Sequence, residues 1–219
     1  MTKKIKIYLF FITISQFLLG CLSLPTIQSG KTVGKNNFEI GLNGSYGKYS
    51  QNSVLDREGN FDNKPVIGLR GQYGISEKQD IGINIDQNSF IGATFKQQFV
   101  GNQTSKFASS IGLGSSFNFG AFLFGNLTYY VTVPLFISFH PKNNFSIYLT
   151  PRYVYSSEYV FAHPTGGQLG VGDQQSFIGN SYGLILGNKH KISIELSNYG
   201  RILYKPTQFS LGYCYTFGQ

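Results

Sequence analysis

Three histidines, two cysteines and ten acidic residues are the raw material for any chemistry this chain performs. Hydrolysis needs a His or carboxylate within hydrogen-bond reach of the group it deprotonates. His140 and His190 stand beside short polar turns, whereas His163 lies in a long Gly-rich stretch, and Asp56, Asp62 and Asp173 fall in stretches of the same kind. His163 with one of these acids is the only rim arrangement of this type, and because loop His and Asp are ordinarily just solvated, no residue is assigned a catalytic role. In Glu195-Leu196-Ser197-Asn198 the serine has no neighbouring imidazole to activate it. Cys21 and Cys214 form no CxxC and have no adjacent His, so neither a metal nor a cofactor is indicated. Gly112-Leu113-Gly114 and Gly166-Gly167 do not lead into helical sequence, which excludes a phosphate loop.

The elements that carry these residues are strands. With 27 Gly, 20 Phe, 15 Tyr and only 13% charged residues, the chain is poor in helix formers and rich in strand and turn formers. Phe209, Leu211, Tyr213, Tyr215 and Phe217 alternate without a break with Ser210, Gly212, Cys214 and Thr216. Phe38, Ile40, Leu42 and Tyr46 alternate in the same way with Glu39, Asn43, Ser45 and Gly47. About ten such segments occur, each with one apolar and one small or polar face. Short connections (Ser76 to Gln79, Gly101 to Ser105, Pro141 to Asn144, Gly187 to Lys189) alternate with longer ones (Ser50 to Lys64, Asn118 to Asn126, Ser156 to Gln175, Asn198 to Thr207), the link near Gln87 to Ser89 being brief. This is the layout of an all-β, antiparallel, up-and-down transmembrane β-barrel of about ten strands, with eight as the alternative count. Pro134 and Pro151 are expected at bulges or strand ends.

If the polar faces line the lumen, Glu39, Arg70, Asp86, Lys96, Arg152 and Glu195 point inward, three acids and three bases. Isolated charges there would be costly, so a balanced set is expected to pair across the barrel together with Asn43, Gln72, Tyr148 and Ser193. The functional alternative is a narrow polar path for small solutes gated by those charges. A barrel of this size is little wider than one that side chains can fill.

The N-terminus carries Lys3, Lys4 and Lys6, an apolar run from Ile5 to Leu19, and then Leu18-Leu19-Gly20-Cys21. A run of about 15 residues is short for a membrane-spanning helix. The tetrapeptide resembles the lipobox of bacterial lipoproteins. That resemblance implies a signal peptide over 1–20, processing by lipoprotein enzymes, acylation of Cys21, and, with Leu22 rather than Asp after the cysteine, sorting to the outer membrane. Removal of the leader lowers the formal charge from +8 to +5, with 15 basic residues against 10 acidic. The remaining bases are scattered, so a nucleic-acid partner is not supported.

The body resembles small outer-membrane β-barrel proteins. Tyr213, Tyr215 and Phe217 are similar to the C-terminal signal read by the barrel-assembly machinery, although Gly218 and Gln219 follow the terminal Phe. Two enzyme families occur on such barrels, the omptin proteases and the lipid A deacylases. The deacylase His-x-Ser-Asn run has Glu195 at its His position, which rejects that match. A lipocalin-like soluble barrel is the fold alternative, but its water-facing strand surface would carry Lys and Glu. The reading is therefore a signal peptide over 1–20, a flexible lipidated linker over 21–36 and a barrel over 37–219. The protein is expected in the outer membrane among its lipids, with both termini periplasmic and the acyl chains in the inner leaflet. Its role is structural or surface-interacting, with any extracellular ligand meeting the long loops; the alternatives are a small-solute pore and a rim hydrolase.

Overall fold

Alternation of large apolar residues with Gly, Ser, Asn and Thr gives each strand two unlike faces, and closing the sheet into a ring lets one face enclose the other. The computed structural model describes residues 27–50, 61–119, 122, 126–160, 170–200 and 207–218. Ten strands follow in order: β1 (Phe38–Ser50), β2 (Phe61–Ser76), β3 (Gln79–Asp86), β4 (Phe90–Val100), β5 (Phe107–Asn118), β6 (Asn126–Lys142), β7 (Phe145–Val160), β8 (Gly170–Leu186), β9 (His190–Gly200) and β10 (Thr207–Phe217). Each pairs antiparallel with its sequence neighbours, and β1 pairs with β10 from Phe38↔Phe217 to Gly47↔Gln208, so the barrel is closed.

The apolar face is the outer one. Leu42, Leu69, Ile83, Leu113, Ile147, Ile192 and Leu211 are all exposed, Ile83 by 61%. Among the described residues, the outward positions between the two rims carry no Asp, Glu, Lys or Arg. On β2 the outward apolar series runs from Ile67 to Ile75, close to the 9 to 11 tilted residues that cross a hydrocarbon layer. A water-soluble barrel would leave this belt in water, so the barrel is a membrane-spanning one. An aromatic cluster marks the short-turn rim, where Tyr215 and Phe217 meet edge to face at 4.5 Å, Phe38 lies 6.1 Å from Phe217, and His190 Nδ1 lies 2.7 Å from the Tyr213 hydroxyl.

Three expectations are corrected. The strands run beyond the expected loop edges, since Tyr159 pairs with Val171 and Ser50 with Phe61. Pro134 and Pro151 sit inside β6 and β7 without a bulge. Pairing of β5 with β6 skips Gly112 and Leu113, then resumes in the same register at Gly114↔Thr132. Gly112 makes room for Pro134, because a Cβ there would lie 2.9 Å from the proline Cγ. The ladder loses a donor and keeps its register.

The third correction concerns residues 27–36, expected to be part of a flexible linker. They run inside the barrel. Ile27, Gly30, Thr32 and Val33 are buried, and the chain descends along the wall to the short-turn rim, where Asn36 N donates to Gly74 O before β1 begins. Two glycines permit the contact. A Cβ on Gly30 would lie 2.4 Å from Ala108 O, and one on Gly74 would lie 1.9 Å from Gly34 O.

Candidate functional site: the lumen

A strand directs every second side chain inward, so the lumen chemistry is set by residues two apart. Glu39 (β1), Lys96 (β4), Arg152 (β7) and Glu195 (β9) are all buried at 4% exposure or less. Five of the six inward charges of the sequence reading gather about three centres in the lumen.

The first centre surrounds Glu39. Arg70 Nη2 lies 2.9 Å from Oε1, Lys191 Nζ lies 2.5 Å from Oε2, and the Thr216 hydroxyl donates to Oε2 at 3.1 Å. Arg70 also donates to Cys214 Sγ at 3.1 Å and to Ile27 O at 2.6 Å. Cys214 is a free, buried thiol that serves here as an acceptor.

The second centre pairs Lys96 with Asp80 at 3.4 Å, both almost fully buried. Lys96 Nζ donates to Lys31 O at 2.8 Å and stands 5.4 Å from the centre of the Phe136 ring. Asp80 Oδ2 accepts Val33 N at 3.1 Å.

The third centre is Glu195. Oε2 accepts Ile27 N at 2.7 Å and the Tyr148 hydroxyl at 2.9 Å, and Oε1 accepts the Ser197 hydroxyl at 2.8 Å. Ser197 and Ser181 lie 2.7 Å apart, and Arg152 donates to both hydroxyls. Ser197 therefore links Arg152 to Glu195. All of these groups are sealed from solvent, so the Glu195–Ser197 contact braces the wall and has no open face for a substrate.

Asp86 lies apart from the first two centres, at the long-loop end, where Oδ1 accepts Asn88 N and Phe90 N and ties the β3–β4 turn. Sequence reasoning missed Asp80 and Lys191. Both have inward parity, Asp80 with Gly82 and Asn84 and Lys191 with Ser193 and Glu195, and each sits one residue inside its strand end.

The N-terminal segment is the common partner of all three centres. Thr32 N and Oγ1 donate to Gln98 Oε1, Gly30 N donates to Ser138 Oγ, and Ser110 Oγ donates to Gly30 O. Apart from the Thr32 hydroxyl, these are backbone groups satisfied by lumen side chains in place of a ladder, which a buried segment requires. Ile27 meets Glu195 five residues in from the start of β9, so the segment reaches roughly 13 Å below the rim at ordinary strand rise and tilt. A cavity of about 120 Å³ lies against Ile27 and Gln28 and extends to Asp86 and Arg152, and one of about 610 Å³ opens along the segment to the short-turn mouth.

Cys21, His163 and Asp56 lie outside the described residues, as do the side chains of Asp62 and Asp173. His140 and His190 stand at the short-turn end, with His140 Nε2 2.8 Å from Ser138 Oγ. Among the described residues no group of three or more His, Cys, Asp or Glu is gathered in a way that could hold a metal ion.

No family model and no curated protein sequence matches the chain. Solved structures do resemble it. The attachment invasion locus protein Ail of Yersinia pestis is 13% identical, with 84% of this chain and 99% of that chain covered and a TM-score of 0.40. Neisserial surface protein A is 10% identical, with 83% and 99% covered and a TM-score of 0.42. An outer membrane channel from Pseudomonas putida F1 is 8% identical, with 90% and 100% covered and a TM-score of 0.40.

Proposed function

We propose that the chain is an outer-membrane β-barrel lipoprotein, acylated at Cys21, whose role is structural or surface-interacting and whose lumen is closed by its own N-terminal segment. The observation that carries the reading is the seating of residues 27–36 on all three lumen charge centres. Buried backbone amides and carbonyls take up Glu195, Arg70, Lys96 and Asp80, so those charges hold a plug in place of a passing solute. The apolar belt places the barrel in a bilayer, and the lipobox-like Leu18-Leu19-Gly20-Cys21 adds the anchor. With the aromatic short-turn rim on the periplasmic side, the end of β10 and the start of β1 are periplasmic, and the long connections face outward as the surface for a partner.

One observation favours a second reading, a small-solute pore that conducts once the plug leaves. Cavities adjoin the segment both at Ile27 and Gln28 and at its rim end.

Two measurements test the first reading. Metabolic labelling with a fatty-acid analogue is expected to mark the wild-type protein and not Cys21→Ser. In planar bilayers the purified mature protein is expected to pass no stable current. A steady, charge-selective current that disappears on substituting Arg70 or Arg152 would assign the pore instead.

A further inference from the structure

The larger cavity, about 610 Å³ at the short-turn mouth, has an uneven charge lining. Six cationic side chains line it against the carboxylates of Glu39 and Glu77, and the nearby Asp80 brings the acids only to three. Arg70 and Lys191 are committed to Glu39, and Lys96 to Asp80. Lys31, Lys35 and Lys189 are left. Lys31 Nζ donates only to a neutral carbonyl, Gln103 O, at 2.7 Å, while Lys35 and Lys189 are exposed at the opening. Lys31 and Lys35 come from the lumen segment and Lys189 from the β8–β9 turn, so the segment and the wall both bring positive charge to this cavity.

A second observation points the same way. Ser193 and Arg70 line this cavity, and Ser193 Oγ and Arg70 Nε lie just behind its surface, buried without a hydrogen-bond partner. Ser193 is 2% exposed. A buried hydroxyl and guanidinium nitrogen without partners cost free energy unless something supplies an acceptor. An oxyanion toward which these two side chains turn would accept from both and would neutralise the lysines at the mouth.

We propose that the short-turn mouth is a binding site for a small multivalent oxyanion of the phosphate or pyrophosphate class. Such an anion enters from the aqueous side, is drawn in by Lys35 and Lys189, and settles between Lys31, Arg70 and Ser193. The site lies inside the ring, separated from lipid headgroups by the barrel wall, so a free solute is the fitting occupant. Closure and anion binding support each other, because the anion offsets the positive charge that Lys31 and Lys35 of the plug bring to the mouth. The inference goes beyond the lipoprotein reading and does not depend on acylation.

The test is isothermal titration of inorganic pyrophosphate into the mature protein folded in non-ionic detergent at low ionic strength. Saturable one-to-one binding is expected. Lys31→Gln with Lys189→Gln is expected to weaken it about tenfold, the loss of charge-assisted hydrogen bonds. Lys78→Gln with Lys106→Gln removes the same charge from exposed sites at the same end, outside the cavity, and is expected to leave binding intact. Lys35→Gln and Ser193→Ala serve as independent variants if the double substitution does not fold, as judged by heat-modifiable migration. Absence of saturable binding by the wild type, or equal weakening by the two pairs, would overturn the proposal.

Discussion

The Glu195 carboxylate accepts the Ile27 amide at 2.7 Å across 168 residues of sequence, joining the start of the plug to the ninth strand. The same carboxylate holds the Tyr148 and Ser197 hydroxyls, so one buried acid on β9 ties β7, across β8, to a lumen segment.

Glu195→Ala should therefore leave three buried donors without their acceptor. A loss of about 2–4 kcal/mol is expected in denaturant unfolding of the folded barrel, with Glu195→Gln keeping part of it because the amide oxygen still accepts. Equal stability of Glu195→Ala and wild type would remove Glu195 from the brace described above.

Closure of the lumen is a prediction about current. Deleting residues 22–36 should produce a conductance that the full mature chain lacks, provided the ten strands still close. Gly74→Val is the point equivalent, because its side chain would meet the Gly34 carbonyl and push the segment from the rim. If the deletion remains silent in planar bilayers, the side chains alone fill the barrel.

At Glu39 the prediction concerns coupling. Glu39→Gln deprives both Arg70 and Lys191 of their counter-charge, and breaking a buried pair from one side costs about 3–5 kcal/mol. Replacing Arg70 by Met as well should return part of that loss. A double-mutant cycle with no coupling between positions 39 and 70 would contradict the geometry.

Membrane insertion can be tested on the outer face. Leu69, exposed by 54% and paired with Leu42 near mid-height, points to lipid. Leu69→Arg should cost about 2–4 kcal/mol when the barrel folds into vesicles. An unchanged folding free energy would place that face in water.

The proposed acylation of Cys21 gives the last prediction. Cys21 lies six residues before Ile27, so its sulfur reaches at most about 20 Å from the lumen position of Ile27. A chain that kept the direction of residues 27–36 would lead to the long-loop end, whereas one that turned back beside them would lead to the inner leaflet. An affinity tag inserted after Leu22 is thus expected to be labelled on intact cells. Labelling only after the outer membrane is opened would restore the inner-leaflet anchor.

The strand layout was legible because lipid demands an apolar residue at each outward position, which writes a strict period into Ile81, Ile83 and Ile85 and into Phe209 to Phe217. Inward identities followed by parity for Glu39, Lys96, Arg152 and Glu195. Asp80 and Lys191 escaped because parity is hard to assign beside a turn. Pro134 was misread as a break because the glycine that accommodates it stands on another strand. Residues 27–36 carry no period at all, since their backbone partners are side chains scattered over the wall, and sequence spacing holds no trace of such partners.

The plug also constrains the order in which the molecule is made. Residues 27–36 bond to Arg70, Asp80, Lys96, Ser110, Ser138 and Glu195, which belong to β2, β3, β4, β5, β6 and β9. These groups converge only when the sheet is already curved, and the ring is completed by a seam between its first and last strands. Residues 27–36 thus find their partners only as the ring forms, and the β1–β10 seam is what encloses them.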